Sequence, residues 1–293
     1  MKKFFTILIG VMLLGAVAFA AVGCNNADGD INVYSREDGS GTRSAFTELT
    51  GVLVENEDGT ETDMTYSGAD IFSGTNELRT AVSGDPNGIG YISYGSLSET
   101  VKAVSVNGVA PSVETIKNGD YKLARPFNVA YKEGALESNA LLADFVAFLG
   151  SAEAQAVITG ENYVSVVENA PAYEPAAGLG GELAIGGSSS VYPLMEQLIA
   201  KYVELSGVDA ADIELSKSDS SGGMRDVGTG TIDLGMASRE VKDSEIENGL
   251  VPMVIAQDGI AVIVNTANSV DNLTMEQIRQ IFTGEVRNWA DIA

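Results

Sequence analysis

Two glycine turns rich in hydroxyl side chains stand far apart in this chain. Ser35-Arg36-Glu37-Asp38-Gly39-Ser40-Gly41-Thr42-Arg43-Ser44-Ala45-Phe46 is the first, and Gly186-Gly187-Ser188-Ser189-Ser190-Val191 lies far downstream. Each puts small hydroxyl residues where a loop becomes a helix. Backbone N–H groups at a helix start have no intrahelical acceptor, Gly lets an anion approach the backbone, and Ser or Thr adds hydroxyl donors. Arg36 supplies a guanidinium suited to a charge-assisted, two-pronged contact. This is equipment for holding a tetrahedral oxyanion. The plainer reading of Ser40 and Ser189 is helix capping.

Strands and helices must position these turns. Ile31 to Tyr34 reads as a strand entering the Ser40-Gly41-Thr42 turn, and Arg43 to Leu49 as a helix stopped at Thr50-Gly51. Residues 54–68, acidic and rich in Gly and Thr, read as a surface loop. Gly88 to Tyr94 and Val101 to Val106 read as strands. A helix starts at Ser138 with Leu141, Leu142, Phe145, Val146 and Leu149 inward, and Ser151 opens another. Residues 168–181 lack periodicity and contain two prolines and three glycines, the composition of a linker. After it the pattern restarts: a strand Leu183 to Ile185, the serine turn, and a helix with Pro193 in its first turn and Leu194, Leu198, Tyr202 and Leu205 inward, ending at Ser206-Gly207. Ser218 to Gly223 opens a further helix, followed by a strand Ile232 to Ala237 and the pair Ser238-Arg239. A strand Ala261 to Asn265 precedes a helix capped by Thr274 with Gln277 three residues on, burying Ile278, Ile281 and Phe282 and stopping at Gly284. Alternation of strand and helix predicts an α/β protein with parallel sheets and ligand sites at the carboxyl ends of the strands.

Composition narrows the function. The 293 residues contain no histidine, which removes the commonest general base and metal ligand, so no metal and no cofactor are expected. A phosphatase-like hydrolase would lack a group to activate water. The formal charge of −24 argues against nucleic acid as a partner, while a small anion in a buried site answers to local dipoles and Arg. Lys2, Lys3, the apolar run from Phe4 to about Ala21 and Gly23-Cys24 read as an export signal over 1–23, with Cys24 the lipidated first residue of a short tether, 24–30. The alternative is ordinary secretory cleavage near Ala20. The single cysteine excludes a disulfide framework.

The first turn, together with Gly187-Ser188-Ser189-Ser190-Val191-Tyr192-Pro193-Leu194, Gly235-Met236-Ala237-Ser238-Arg239-Glu240, Asp258 to Asn265, and Ile281 to Trp289, resembles the phosphate-binding lipoproteins of bacterial ABC importers. The resemblance spans nearly all of residues 31–293, but the motif order differs. In that family the serine cluster comes first and the Arg-x-Asp-Gly-Ser-Gly-Thr motif follows the Asn-Trp segment. The chain therefore resembles a circular permutant in which 168–181 joins the old termini. The alternative is two unpaired halves of a broken gene, whose termini would lie apart and whose Ser40 and Ser189 would open to different surfaces.

The resemblance implies a two-lobe periplasmic-binding-protein fold with the anion in the cleft. One lobe would span 126–254, including the linker, and the other 31–125 with 255–293, with crossovers near Arg125-Pro126-Phe127 and Ile255-Ala256-Gln257. It places phosphate contacts on Arg36, Ser40, Gly41, Thr42, Ser189, Ser190, Ser220 and Ser238, with Asp38 as the acid that pairs with and orients Arg36. Better-studied members carry Asp where this chain has Ser238; that Asp accepts the proton on phosphate and rejects fully ionised sulfate. Arg239 either turns inward as a second cation or pairs with Glu240 or Asp243 outside the cleft. The implied role is a monomeric extracytoplasmic binding protein, tethered to the membrane only through its lipid, that captures inorganic phosphate for an ABC permease. A phosphate sensor or scavenger that meets no permease is the alternative.

Overall fold

The structure is a computed structural model that describes residues 29–56, 58 and 60–292. The expected tether cysteine, Cys24, and the whole export signal lie outside these residues. Eight strands run side by side in the order Ile213–Ser218, Leu183–Ser188, Leu234–Ala237, Ala124–Lys132, Leu250–Asn265, Gly88–Ser93, Asn32–Arg36 and Asp70–Phe72. Val101–Ala103 and Val164–Ser165 add to the long strand Leu250–Asn265 and complete a ten-stranded sheet.

The outer strands of each half are parallel, but the centre is not. Ala124–Lys132 runs antiparallel to both Leu234–Ala237 and Leu250–Asn265, which in turn runs antiparallel to Gly88–Ser93. The sheet is therefore mixed, where alternation alone predicted parallel pairing. Two strands that cross from one half to the other, one out and one back, must run in opposite directions. The sixteen-residue strand pairs with Ala124–Lys132 from Leu250 to Gly259 and with Gly88–Ser93 from Ile260 to Val264. A register shift between Val254 and Ala256 bends it in the crossing region.

Burial divides in the same way. Phe127, Leu142, Phe145, Phe148, Leu194, Leu198 and Tyr202 belong to one core. Phe46, Tyr91, Val262, Ile281, Phe282 and Trp289 belong to another, where Phe46 stacks on Tyr91 at 3.9 Å. Among the described residues no single helix is long and apolar enough to cross a membrane.

Several local readings shift. The first helix is Gly41–Thr50, with Gly51 in the left-handed conformation at its end. A short turn, Ala135–Ser138, precedes the helix Ala140–Leu149, which buries Phe148 fully and Val146 only in part. The strand expected over Val101 to Val106 breaks into Val101–Ala103 and Ser105–Val106. The acidic segment expected as a plain loop contains an exposed hairpin, Leu53–Glu55 with Glu61–Asp63, closed by the Asn56 N–H donating to the Thr60 carbonyl at 2.7 Å. The Thr274 capping box with Gln277 and the helix stop at Gly284 are present.

The two ends of the described chain meet. Ile31 N donates to the Arg287 carbonyl at 2.7 Å and Trp289 N to the Gly29 carbonyl at 3.0 Å. Residues 168–181 form no helix or strand and are mostly exposed. They lie on one core only: the Tyr173 hydroxyl donates to the buried Asp144 carboxylate, which also accepts from Tyr202 at 2.9 Å and from Ala176 N at 2.9 Å.

Candidate anion site

Ser40 caps the helix Gly41–Thr50, its hydroxyl accepting from Arg43 N at 3.3 Å. The capping role is thus realised, and it fixes the start of that helix. Across the cleft, Ser188 ends a strand and its hydroxyl accepts from Ser190 N at 3.2 Å and Val191 N at 3.4 Å. That turn feeds Tyr192–Ser206, with Pro193 in its first turn. Asp219 caps Ser220–Thr229 through Gly222 N at 2.7 Å. Gly223 in this helix passes so close to the strand that a Cβ would lie 2.7 Å from Gly187 Cα. Gly187 itself has φ +129°, and a Cβ there would strike the Met236 carbonyl at 2.4 Å. The paired glycines are packing requirements of the site's scaffold.

The side chains converge. Arg36 is 1% exposed and donates through Nη2 to Ser189 Oγ at 3.1 Å and through Nη1 to Thr75 Oγ1 at 3.3 Å. Thr42 Oγ1 and Ser190 Oγ are 2.9 Å apart, and Thr75 Oγ1 lies 3.1 Å from Ser190 Oγ. Ser188 Oγ donates to Ser238 Oγ at 3.0 Å, and Ser238 N donates to Ser220 Oγ at 3.1 Å. A Cβ on Gly41 would sit 2.3 Å from Ser220 Oγ and 2.9 Å from Ser238 Oγ. Arg36, Ser40, Gly41, Thr42, Ser189, Ser190, Ser220 and Ser238 thus gather in one buried region drawn from both halves.

Two residues fall elsewhere. Asp38 does not pair with Arg36: it is almost fully exposed and holds Arg43 at 2.8 Å. Ser40 N donates to the Glu37 carbonyl at 3.0 Å, so Glu37 to Ser40 form a tight turn with Asp38 at its tip. Glu37 takes the expected role, gripping Arg36 Nε at 2.8 Å and Nη2 at 2.7 Å. Arg239 does not reach the cluster and pairs with neither expected acid. Buried at 4% exposure, it is held two-pronged by Glu245 at 2.8 and 2.9 Å. Glu245 also accepts from Lys242 N at the start of the helix Asp243–Glu247, which fixes its carboxylate beneath Arg239.

Three participants were missed. Glu37 has no signature apart from adjacency to Arg36. Ser188 lies in the serine turn, where sequence alone does not separate its role from that of its neighbours. Thr75 begins the helix Thr75–Gly84 after Ser73-Gly74, a fourth hydroxyl and glycine turn that signals a helix start. The crossing strands also contribute a buried ion pair, Arg125 and Asp258, 3.0 Å apart. Burial pushes the Asp258 carboxyl above its ordinary range, against the pull of Arg125, Ser93 and the Gly95 backbone. Among the described residues no group of three or more Cys, Asp or Glu side chains is placed to hold a metal.

Helix starts, hydroxyls and one guanidinium closing from two sides can bind an anion without covalent chemistry. The profile of the PBP superfamily domain matches residues 24–153 and 171–293. The chain is 40% identical to the phosphate-binding protein PstS 2 of Streptococcus agalactiae over 289 residues, covering 97% of this chain and 95% of that protein. It belongs to the PstS family of the PBP superfamily. The PstS 2 of Streptococcus pneumoniae is 36% identical, covering 97% of this chain and 98% of that protein. The crystal structure of a phosphate ABC transporter, phosphate-binding protein from Streptococcus pneumoniae matches with a TM-score of 0.70 and 38% identity, over 90% of this chain and 100% of that one. By contrast, the PstS of Staphylococcus saprophyticus aligns over only 121 residues at 36% identity, 38% of this chain and 37% of that protein.

Proposed function

We propose that this protein captures inorganic phosphate outside the cytoplasm and delivers it to the permease of an ABC import system, without catalysing a reaction. The observation that carries the reading is the buried ring of Arg36, Thr42, Thr75, Ser189 and Ser190, whose members come from both sides of the cleft. Hydroxyls that bond one another can turn their protons to a ligand placed between them, so the ring can act as a set of oxyanion donors. Phosphate would settle on one wall, and closure about the crossing strands would bring the other wall to it.

The walls are assigned to two lobes, 31–125 with 255–293 and 126–254, in keeping with the two largest buried clusters, which follow these bounds except at Val164, Ile255 and Ala256. Circular permutation accounts for the motif order. The meeting of Gly29 and Ile31 with Trp289 and Arg287 supports it, as does a linker confined to one core. The end-to-end alignment with streptococcal relatives supports a shared order, while the staphylococcal relative aligns over one stretch only, as a differently ordered chain would. A broken gene is therefore the poorer account.

By the family resemblance, Ser238 takes the position at which better-studied members carry Asp. Because Ser188 donates to its oxygen, the Ser238 proton is left to point at a ligand, and sulfate is expected to compete more strongly than in those relatives. Attachment through lipid on Cys24 completes the proposed role. Calorimetry on the mature protein tests it: one phosphate bound per chain, with no turnover of a chromogenic phosphate ester, is the expected result. Absence of heat at millimolar phosphate would overturn it.

A further inference from the structure

The two crossing strands meet at a register pair whose side chains are charged and wholly buried. Arg125 stands opposite Asp258, with side chains 1% and 0% exposed. Arg125 Nε and Nη2 donate to Asp258 Oδ2 at 3.2 and 3.0 Å, and its remaining prong, Nη1, donates to the backbone carbonyl of Ser238 at 3.0 Å. Asp258 Oδ1 accepts from Ser93 Oγ at 3.0 Å, at the end of the strand Gly88–Ser93 that neighbours Asn32–Arg36. Three residues along the crossing strand, Asn128 Nδ2 donates to the Arg239 carbonyl at 2.9 Å. A path of hydrogen bonds thus runs along the cleft floor from Ser93 through Asp258 and Arg125 to Ser238.

We propose that Arg125 and Asp258 are positioning residues for the anion site, fixing the Ser238 turn of one wall against the Ser93 strand end of the other. The inference rests on the phosphate reading for its ligand. Stability gives the pair little justification, because a buried ion pair costs desolvation and an apolar pair of similar volume is often as stable. What apolar side chains cannot supply is the third prong on the Ser238 carbonyl. The guanidinium is also within electrostatic reach of Arg36, whose like charge adds to the burial that lowers the Arg125 pKa.

The test is the double substitution Arg125→Met with Asp258→Leu, which leaves no charge unpaired. The expected protein melts within a few degrees of wild type in phosphate-free buffer, binds phosphate at least tenfold more weakly, and exchanges amide hydrogens faster across 236–240. Phosphate affinity equal to wild type overturns the proposal. If wild type itself binds no phosphate, the functional reading fails separately and the exchange arm decides: unchanged protection across 236–240 overturns the positioning role. Should the double variant not fold, Arg125→Lys keeps the charge and loses the fork. A loss of threefold or more in affinity, or faster exchange at 236–240, then supports the proposal, and the absence of both changes overturns it.

Discussion

The two walls of the cleft reach the same end by different means. The wall built on Asn32–Arg36 and the helices Gly41–Thr50 and Thr75–Gly84 carries the one guanidinium in the ring, already held by Glu37. The facing wall, from Ser188 to Ser190 with Ser220 and Ser238, offers only neutral hydroxyls and N–H groups, locked in order by bonds among themselves. Charge comes from one side and geometry from the other. A charged contact made under burial is worth more than a neutral one, whereas a neutral wall discriminates by shape and by which way each proton points.

Four measurements would break or sharpen that contrast. The largest effect is expected at the charged wall: Arg36→Ala should weaken phosphate binding by about 2 to 4 kcal/mol in calorimetry. An unchanged affinity would place Arg36 outside the site. At the contact between walls, Gly41→Ala puts a methyl where Ser220 Oγ lies 2.3 Å away, so closure must yield; a loss of about 1 to 3 kcal/mol in affinity with little change in melting temperature is expected. A variant that binds normally would mean the walls need not meet there.

On the neutral wall, removing one hydroxyl in Ser190→Ala should cost about 1 kcal/mol, well below the Arg36 effect. Equal losses at both positions would erase the distinction between the walls. The smallest effect is on stability. Partial burial works to raise the Glu245 carboxyl, but Arg239 and the Lys242 N–H hold it below its ordinary range. A lowered pKa stabilises the fold above the unfolded value, near ~4.3, and that contribution is lost as pH falls through the lower folded value. Glu245→Gln should therefore melt lower at pH 7 and lose less of its melting temperature on acidification from pH 5 to 3. An acid profile parallel to wild type would show that the Arg239 clasp adds nothing.

Much of the site was legible because its signals are local. Glycine beside Ser or Thr at a helix start has a meaning fixed within four residues, which is why the turns at Ser40 and Ser189 were legible from sequence, whereas Ser220 and Ser238 as contacts came with the family resemblance. Thr75 carries the same signal, but one Ser-Gly-Thr step is too common to stand out. The partners of the arginines were not legible. Asp38 matched a motif but stands at the tip of a turn, and Glu245 reaches Arg239 only because a short helix begins between them.

The sequence by itself determined the caps at Ser40, Ser151 and Thr274, the linker and the hydroxyl turns at Ser40, Ser189 and Ser220. All of these rest on interactions within a few residues, where backbone geometry and side-chain type suffice. Only the tertiary structure decided which turns face one another, that the central strands run antiparallel, that Glu37 and not Asp38 holds Arg36, and that Arg125 and Asp258 join the cleft floor. These depend on contacts between residues a hundred or more positions apart or on the direction a side chain takes from a turn. Spacing along the chain does not fix such contacts; the packing of the buried clusters does.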